Sequence, residues 1–278
     1  MGFEYLTNVP LAQARKEYLE RLVSGGFGLK TETIPVFESC GRVTAKAVYA
    51  HICAPHYAAS AMDGVAVSAK ETFGATETTP VTLKPDQFLV LDTGDPIPED
   101  KDAVIMVEDI VKNGDGSITI HAAAAPWQHI RQIGEDVCAG EMILPSHMTV
   151  SPAAIGAMIA GGVLEIEVIR KPVVGIIPTG DEIIPPCTDP KPGDILEFNG
   201  SIFSAMVRSW GAEAVVYPIV PDKFDQIKEM VAKAADECDM VILNAGSSAG
   251  REDFSARVIR ELGEVLYHGI AIKPGKPA

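Results

Sequence analysis

The sequence predicts a multidomain α/β protein, and three patterns carry that prediction. From Lys171 onward, apolar runs of strand length alternate with amphipathic runs of helix length, the order of a parallel sheet with crossover helices. From about Val48 to Gly140, short β-type runs are broken by Gly, Pro and Asp. Two helical segments, near the start and after residue 150, lie outside both regions. The expected domains are residues 1–47 plus 144–170 as an elongated helical/extended linker domain, 48–143 as a β-rich module, and 171–278 as a doubly wound α/β domain.

Each element has a local cause. In "NVPLAQARKEYLERLVSGG", Asn8 is the expected cap and Pro10 lies in the first turn. Leu11, Tyr18, Leu19 and Leu22 fall at helical spacing, and Gly25 and Gly26 end the helix. "DAVIMVEDIVKNGDGSITIH" predicts a hairpin that turns at "NGDG". "SPAAIGAMIAGG" predicts a helix with Ser151 as cap, Pro152 at its first position and Gly161 as stop. The α/β part predicts strands at "PVVGIIP", "AEAVVYPIV", "MVILN" and "VLYHGIAI", with helices at "NGSIFSAMVRSWG", "DKFDQIKEMVAKAADE" and "FSARVIRELG" between them. Two apolar stripes are expected in the core: Ile202, Phe203, Met206, Val207 and Trp210, and then Phe224, Ile227 and Val231.

Bulk properties exclude several classes of function. The chain has 278 residues, 47% of them apolar, enough for a sizeable core. No apolar run reaches the roughly 20 residues that cross a bilayer, and "MGFEYLTNVP" lacks a basic start followed by an apolar core. The expectation is a soluble, cytoplasmic protein without a membrane partner. The five cysteines form no CxxC pair, which argues against a structural zinc site or a disulfide framework. A net charge of −15 without basic clusters leaves nucleic acid no footprint.

Ligands of open α/β sheets bind beyond the carboxyl ends of the strands. There the sequence offers Thr179, Gly180, Asp181 and Glu182 after the first strand and Asp222 after the second. "AGSSAGRED" follows the third, and Lys273, Gly275 and Lys276 follow the fourth. Small residues such as Gly246 and Gly250 let backbone N–H groups approach an anion. Ser247 and Ser248 add hydroxyl donors, and the following helix points its positive end the same way. This is the composition of a phosphate cradle. Lys273 and Lys276 add point charges, and Asp181, Glu182, Asp222 and Asp253 suit a hard cation such as Mg²⁺. A plainer role stays open for Asp222, as cap of the helix that starts beside Lys223. The β-rich module contributes Asp63 in "SAMDGVAV", Thr93 and Asp95 in "DTGDPIP", and Arg131, Glu135 and Asp136 around "GEDVCAG".

Together, "SAMDGVAV", "TGDPIP", "GEDVCAG", "PTGDEI", "FNGSIFSAMVRSWGAE", "AGSSAGREDF" and "KPGKP" resemble, in order and spacing, the molybdopterin molybdenumtransferases of the MoeA and gephyrin E-domain type. The resemblance implies that the α/β domain is a MogA/MoaB-like molybdopterin-binding domain. It implies Mg²⁺-dependent insertion of molybdate into adenylylated molybdopterin, with release of AMP, by a homodimer that works beside other cofactor-biosynthesis proteins. It assigns catalytic roles to Asp63, Thr93, Asp136, Glu182, Asp222 and Asp253, metal binding to Glu182 and Asp222, and the pterin-phosphate side to Ser247, Lys273 and Lys276. The chain departs from the family at Ala245, where a double glycine is usual, and at Glu197, in a segment where an Asp precedes the Asn. The family also continues past "KPGKP" with a further strand and a β-barrel, so a truncated, catalytically impaired form is expected. Two other readings are a non-catalytic molybdopterin- or nucleotide-binding sensor or scaffold, and a nicotinamide-nucleotide amidase-type protein, against which "SAMDGVAV" counts.

Overall fold

The computed structural model describes residues 9–25, 27–245, 254–267 and 269–271. Contacts divide the chain into two units, Met1–Lys30 with Arg170–Ala278, and Thr31–Ile169. Helix α1 (Leu11–Ser24) therefore groups with the α/β unit. Pro10 stands at its N-cap rather than inside the first turn, and Gly25 closes it with an N–H donated to the Arg21 carbonyl. Asn8 and Gly26 lie outside the described residues. Of the helix's apolar positions, Leu11, Tyr18 and Leu19 are exposed and Ala14 is buried.

The Thr31–Ile169 unit carries β1 (Thr31–Pro35), β2 (Val48–Tyr49), β3 (Ala59–Ser60), β4 (Gly64–Val67), β5 (Val81–Leu83), β6 (Phe88–Leu91), β7 (Ala103–Met106), β8 (Ile110–Lys112), β9 (Ile118–Ile120), β10 (Ile130–Arg131), β11 (Met142–Leu144), helix α2 (Pro152–Ala160) and β12 (Glu165–Ile169). Strand β1 pairs antiparallel with β12, and β2 with β11. With α2 they enclose a core of Val36, Val48, Val150, Met158, Ile166 and Val168. Ser151 caps α2, accepting the Ala154 N–H at 3.2 Å, with Pro152 next and Gly161 as stop, as the sequence predicts. A second core of Val65, Val67, Leu83, Ile105, Ile118 and Ile120 sits between the antiparallel sheets β6-β4-β7 and β5-β9-β8. The hairpin joins β8 and β9 where "NGDG" predicts it. Gly116 takes φ +86°, and Asp115 accepts both the N–H and the hydroxyl of Ser117.

The α/β unit continues with β13 (Val173–Pro178), β14 (Ile183–Ile184), β15 (Ile195–Leu196), α3 (Asn199–Ser209), β16 (Glu213–Val216), α4 (Phe224–Glu237), β17 (Met240–Asn244) and α5 (Phe254–Leu262). Strands β16, β13 and β17 form a parallel sheet in that order, with β13 central. The chain moves to one side of β13 and then to the other, so right-handed crossovers place α3 on one face and α4 on the opposite one. Asp239 clamps the start of the sheet: both its carboxylate oxygens accept from Arg170 at 2.6 Å, one accepts the Val173 N–H, and one the Lys30 ammonium. These donors, Arg170 foremost, hold its pKa well below the ordinary carboxylate value.

Two expectations need correction. The "VLYHGIAI" run forms no strand of this sheet among the described residues. Its backbone pairs instead with Val9, which donates to Gly269 and accepts from Ala271. Nor is the α3 stripe core as a whole. Ile202, Met206 and Trp210 are 48%, 40% and 73% exposed, because the helix turns Gly200, Ser204 and Val207 inward. Small inward residues let the helix lie close to the strands, and the bulky row then points out. The second stripe is core as expected, with Ile227 buried and Phe224 and Val231 packed beside it.

Candidate active site

The carboxyl ends of β13, β16 and β17 gather the first group of expected site residues. Strand β13 runs on through a bridge from Thr179 to Val220, while Thr179 donates its backbone N–H and its hydroxyl to the Asn244 carbonyl at 2.9 and 3.3 Å. Thr179 is thereby fixed between the segment that follows β16 and the last residue of β17. Gly180 then takes φ +143°, and a Cβ there would stand 2.7 Å from the Ile183 side chain and 3.2 Å from Glu182 Oε2. Only glycine lets the chain turn here with the Glu182 carboxylate folded back over it.

The turn brings three carboxylates together. Asp181 Oδ1 accepts the Asp222 N–H at 3.1 Å, tying the loop after β13 to the loop after Val220. Asp222 is accessible at its rim, yet its pKa is raised, first by the desolvation of surrounding protein and then by the charges of Asp181 and Glu182. Such a set of hard oxygen donors under mutual repulsion suits a divalent cation, which relieves it. Among the described residues no group of three or more His, Cys, Asp or Glu side chains is placed to hold a metal ion by itself. The donor set instead fits Mg²⁺, which takes one or two carboxylates and fills its remaining positions from phosphate and water. Asp222 is not spent as a cap, since α4 begins after Lys223 without a side-chain cap.

Beside these carboxylates lies a pocket of about 570 Å³, lined in part by Gly180, Asp181, Ile183, Glu197, Tyr217 and Pro221. The parallel β14–β15 pairing fixes the backbone of Glu182 at its start and that of Glu197 at its end: Ile195 donates to the Glu182 carbonyl and Glu197 to that of Ile184, both at 2.8 Å. The Glu197 carboxylate caps α3, accepting the Gly200 N–H at 2.6 Å. Tyr217 and the prolines of the pocket wall were not singled out from the sequence. Tyr217 and Pro218 fall inside the expected strand "AEAVVYPIV", but β16 ends at Val216 and leaves them in the pocket wall.

The second group lies in the Thr31–Ile169 unit. Asp63 Oδ1 accepts both the backbone N–H and the hydroxyl of Thr93, at 2.7 and 2.8 Å, and these bonds lower the Asp63 pKa. Gly64 makes the placement possible, because a Cβ there would stand 2.0 Å from the Ile105 carbonyl oxygen across the β4–β7 pairing. Asp136 is held by Arg131, whose guanidinium reaches both carboxylate oxygens at 3.0 Å and Glu135 at 3.6 Å. Strand β3 links the two pairs, since Ala59 bridges to Pro96 and also pairs with Arg131. Asp63 and Thr93 are therefore joined directly, while Asp136 is held from Arg131 in the separate pairing of β10 with β3. Gly246, Ser247, Ser248, Gly250, Asp253, Lys273, Gly275 and Lys276 lie outside the described residues.

Comparison with known proteins gives the chain a family. Residues 9–162 match the family described as "MoeA N-terminal region (domain I and II)" and residues 175–278 the family described as "Probable molybdopterin binding domain". A molybdopterin molybdenumtransferase of Haemophilus influenzae is 32% identical, over 96% of this chain and 68% of its own length. A protein of Methanocaldococcus jannaschii named for molybdopterin biosynthesis is 30% identical, over 97% of this chain and 71% of its own. The crystal structure of a molybdopterin biosynthesis MoeA protein from Pyrococcus horikoshii superposes with a TM-score of 0.77 at 31% identity, covering 98% of this chain and 71% of that one. The doubly wound unit is thus MogA/MoaB-like, the chain spans roughly 70% of the length of these relatives, and it belongs to the MoeA family of molybdopterin molybdenumtransferases.

Proposed function

We propose that the chain acts in molybdenum cofactor biosynthesis, inserting molybdate into adenylylated molybdopterin in a Mg²⁺-dependent step that releases AMP. The observation that carries this reading is the gathering of Asp181, Glu182 and Asp222 at the carboxyl ends of parallel strands beside a pocket. Glu182 and Asp222 would hold Mg²⁺, which when bound neutralises charge on the phosphate oxygens. Asp181 acts through the Asp222 N–H, fixing the loop that presents Asp222. Asp63 and Thr93 form a preset polar pair, and Arg131 orients Asp136, so that polar groups rather than a nucleophile and its base meet the oxyanion. The loop 246–253, with Lys273 and Lys276, is the phosphate-binding part of the proposal. A homodimer in the cytoplasm completes it.

The test supplies the chain with adenylylated molybdopterin, molybdate and Mg²⁺, and quantifies AMP and the finished cofactor. AMP release that requires both molybdate and Mg²⁺, and that falls about tenfold or more in Glu182→Gln and Asp222→Asn, is the expected result. Binding of the pterin without any release of AMP would favour a sensor or scaffold instead. Ala245 and Glu197, where the chain departs from the family pattern, motivate that second reading.

A further inference from the structure

We propose that Cys53 and Cys138 form a reversible cross-strand disulfide that tethers the turn carrying Arg131, Glu135 and Asp136. The register places them opposite each other. Tyr49 pairs with Met142, and Ala54 bridges antiparallel to Val137, so the same alignment sets Cys53 against Cys138. Ala54 and Val137 exchange both backbone hydrogen bonds, at 2.8 and 3.2 Å. The bridge is isolated, and the position next to such a hydrogen-bonded pair is a non-hydrogen-bonded one, for which antiparallel geometry sets Cα atoms about 4.5 Å apart with side chains on one face. That lies within the roughly 4.4–6.8 Å span of disulfides.

The side chains agree with the backbone. The Sγ atoms of Cys138 and Cys53 lie 2.8 and 3.6 Å from the single point where a Cβ on Gly134 would sit. Gly134, at φ +77° and without a Cβ, leaves that point beside both sulfurs open. Cys53 Sγ also accepts the Ala139 N–H at 3.4 Å, and Cys138 Sγ bonds the Gly134 carbonyl at 3.4 Å, so both thiols are held at this turn. No CxxC spacing reveals the pair, because it is made by register across two distant segments.

The oxidant is a low-molecular-weight disulfide. Exposed Cys138 attacks first as the thiolate, expelling one thiol and leaving a mixed disulfide. Cys53, less exposed, then attacks the Cys138 sulfur and expels the second thiol. Two protein thiols are oxidised to one disulfide, the small disulfide is reduced to two thiols, and the two cysteine protons pass to the released thiols. Exposed, cross-strand bridges of this kind belong with the labile, reversible disulfides.

The whole chain would be equilibrated with oxidised glutathione, alkylated and mapped by mass spectrometry, with hydrogen exchange measured on both forms. The expected product is a linked Cys53–Cys138 peptide pair lacking two hydrogens and reversed by dithiothreitol. Exchange at residues 132–137 should slow on oxidation. Cys53→Ser should stop at a lasting glutathione adduct on Cys138, and Cys138→Ser should react far more slowly at Cys53. Separate glutathione adducts on Cys53 and Cys138 of the unmutated chain, a different cysteine pair, or unchanged exchange at 132–137 would overturn the proposal.

Discussion

Three glycines show how single residues set the site. Gly180 has a φ of +143° and no room for a Cβ beside Ile183. Gly180→Ala should therefore cost about 1–3 kcal/mol, and it should weaken ligand binding by displacing Glu182; urea unfolding and calorimetry read the two effects separately. Gly64→Ala would press a methyl to 2.0 Å from a backbone carbonyl in the middle of a sheet. A loss above about 3 kcal/mol, or failure to fold, is expected, and circular dichroism on expressed protein decides it. Gly134, at φ +77°, has no room for a Cβ beside the Cys138 sulfur. The sequence made "TGDE", "MDG" and "GED" visible as small-residue and acid pairs. It could not show that Asp63 meets Thr93, or that Cys53 faces Cys138, because those meetings depend on register between segments far apart in the chain. Glu197 was visible as a departure from the family pattern, but its role as the cap of α3 required the structure.

At the level of elements, local signals were reliable wherever a cap or turn residue made them. Ser151, Pro152 and Gly161 delimit α2, and Ser151→Ala should cost about 1 kcal/mol in chemical denaturation, with no change in ligand binding. The hairpin at "NGDG" formed for the same reason. Periodicity said less about which face of a helix is buried: α3 keeps Gly200, Ser204 and Val207 inward and leaves Trp210 out. The apolar run at 265–272 reads as a strand, yet its described backbone hydrogen bonds go to Val9. The Asp239 clamp, invisible to periodicity, gives the α/β unit a pH signature. Its pKa is depressed in the fold, so its stabilisation is fully present above the ordinary carboxylate pKa and is lost as pH falls through the lowered value. Asp239→Asn should lower stability at neutral pH by on the order of 2 kcal/mol and flatten the acid limb of a Tm-against-pH curve. A parallel acid limb in the variant would remove Asp239 as its source.

The whole molecule combines a parallel sheet that gathers carboxylates at one end with a β-rich unit that presets Asp63, Thr93 and Asp136. The alternation after Lys171 made the parallel sheet legible from the sequence alone, and seven ordered motifs made the family legible. Among the described residues no helix is long and apolar enough to cross a membrane. The central claim is that Asp222 and Glu182 make a Mg²⁺-dependent site for adenylylated molybdopterin beside the pocket. The most direct measurement is calorimetry of adenylylated molybdopterin against the chain, with and without Mg²⁺, beside an Asp222→Ala variant of matched Tm. Binding that tightens with Mg²⁺ and loses that dependence in the variant is the expected result. Equal affinity in all four combinations would contradict the claim and remove these carboxylates from the ligand site.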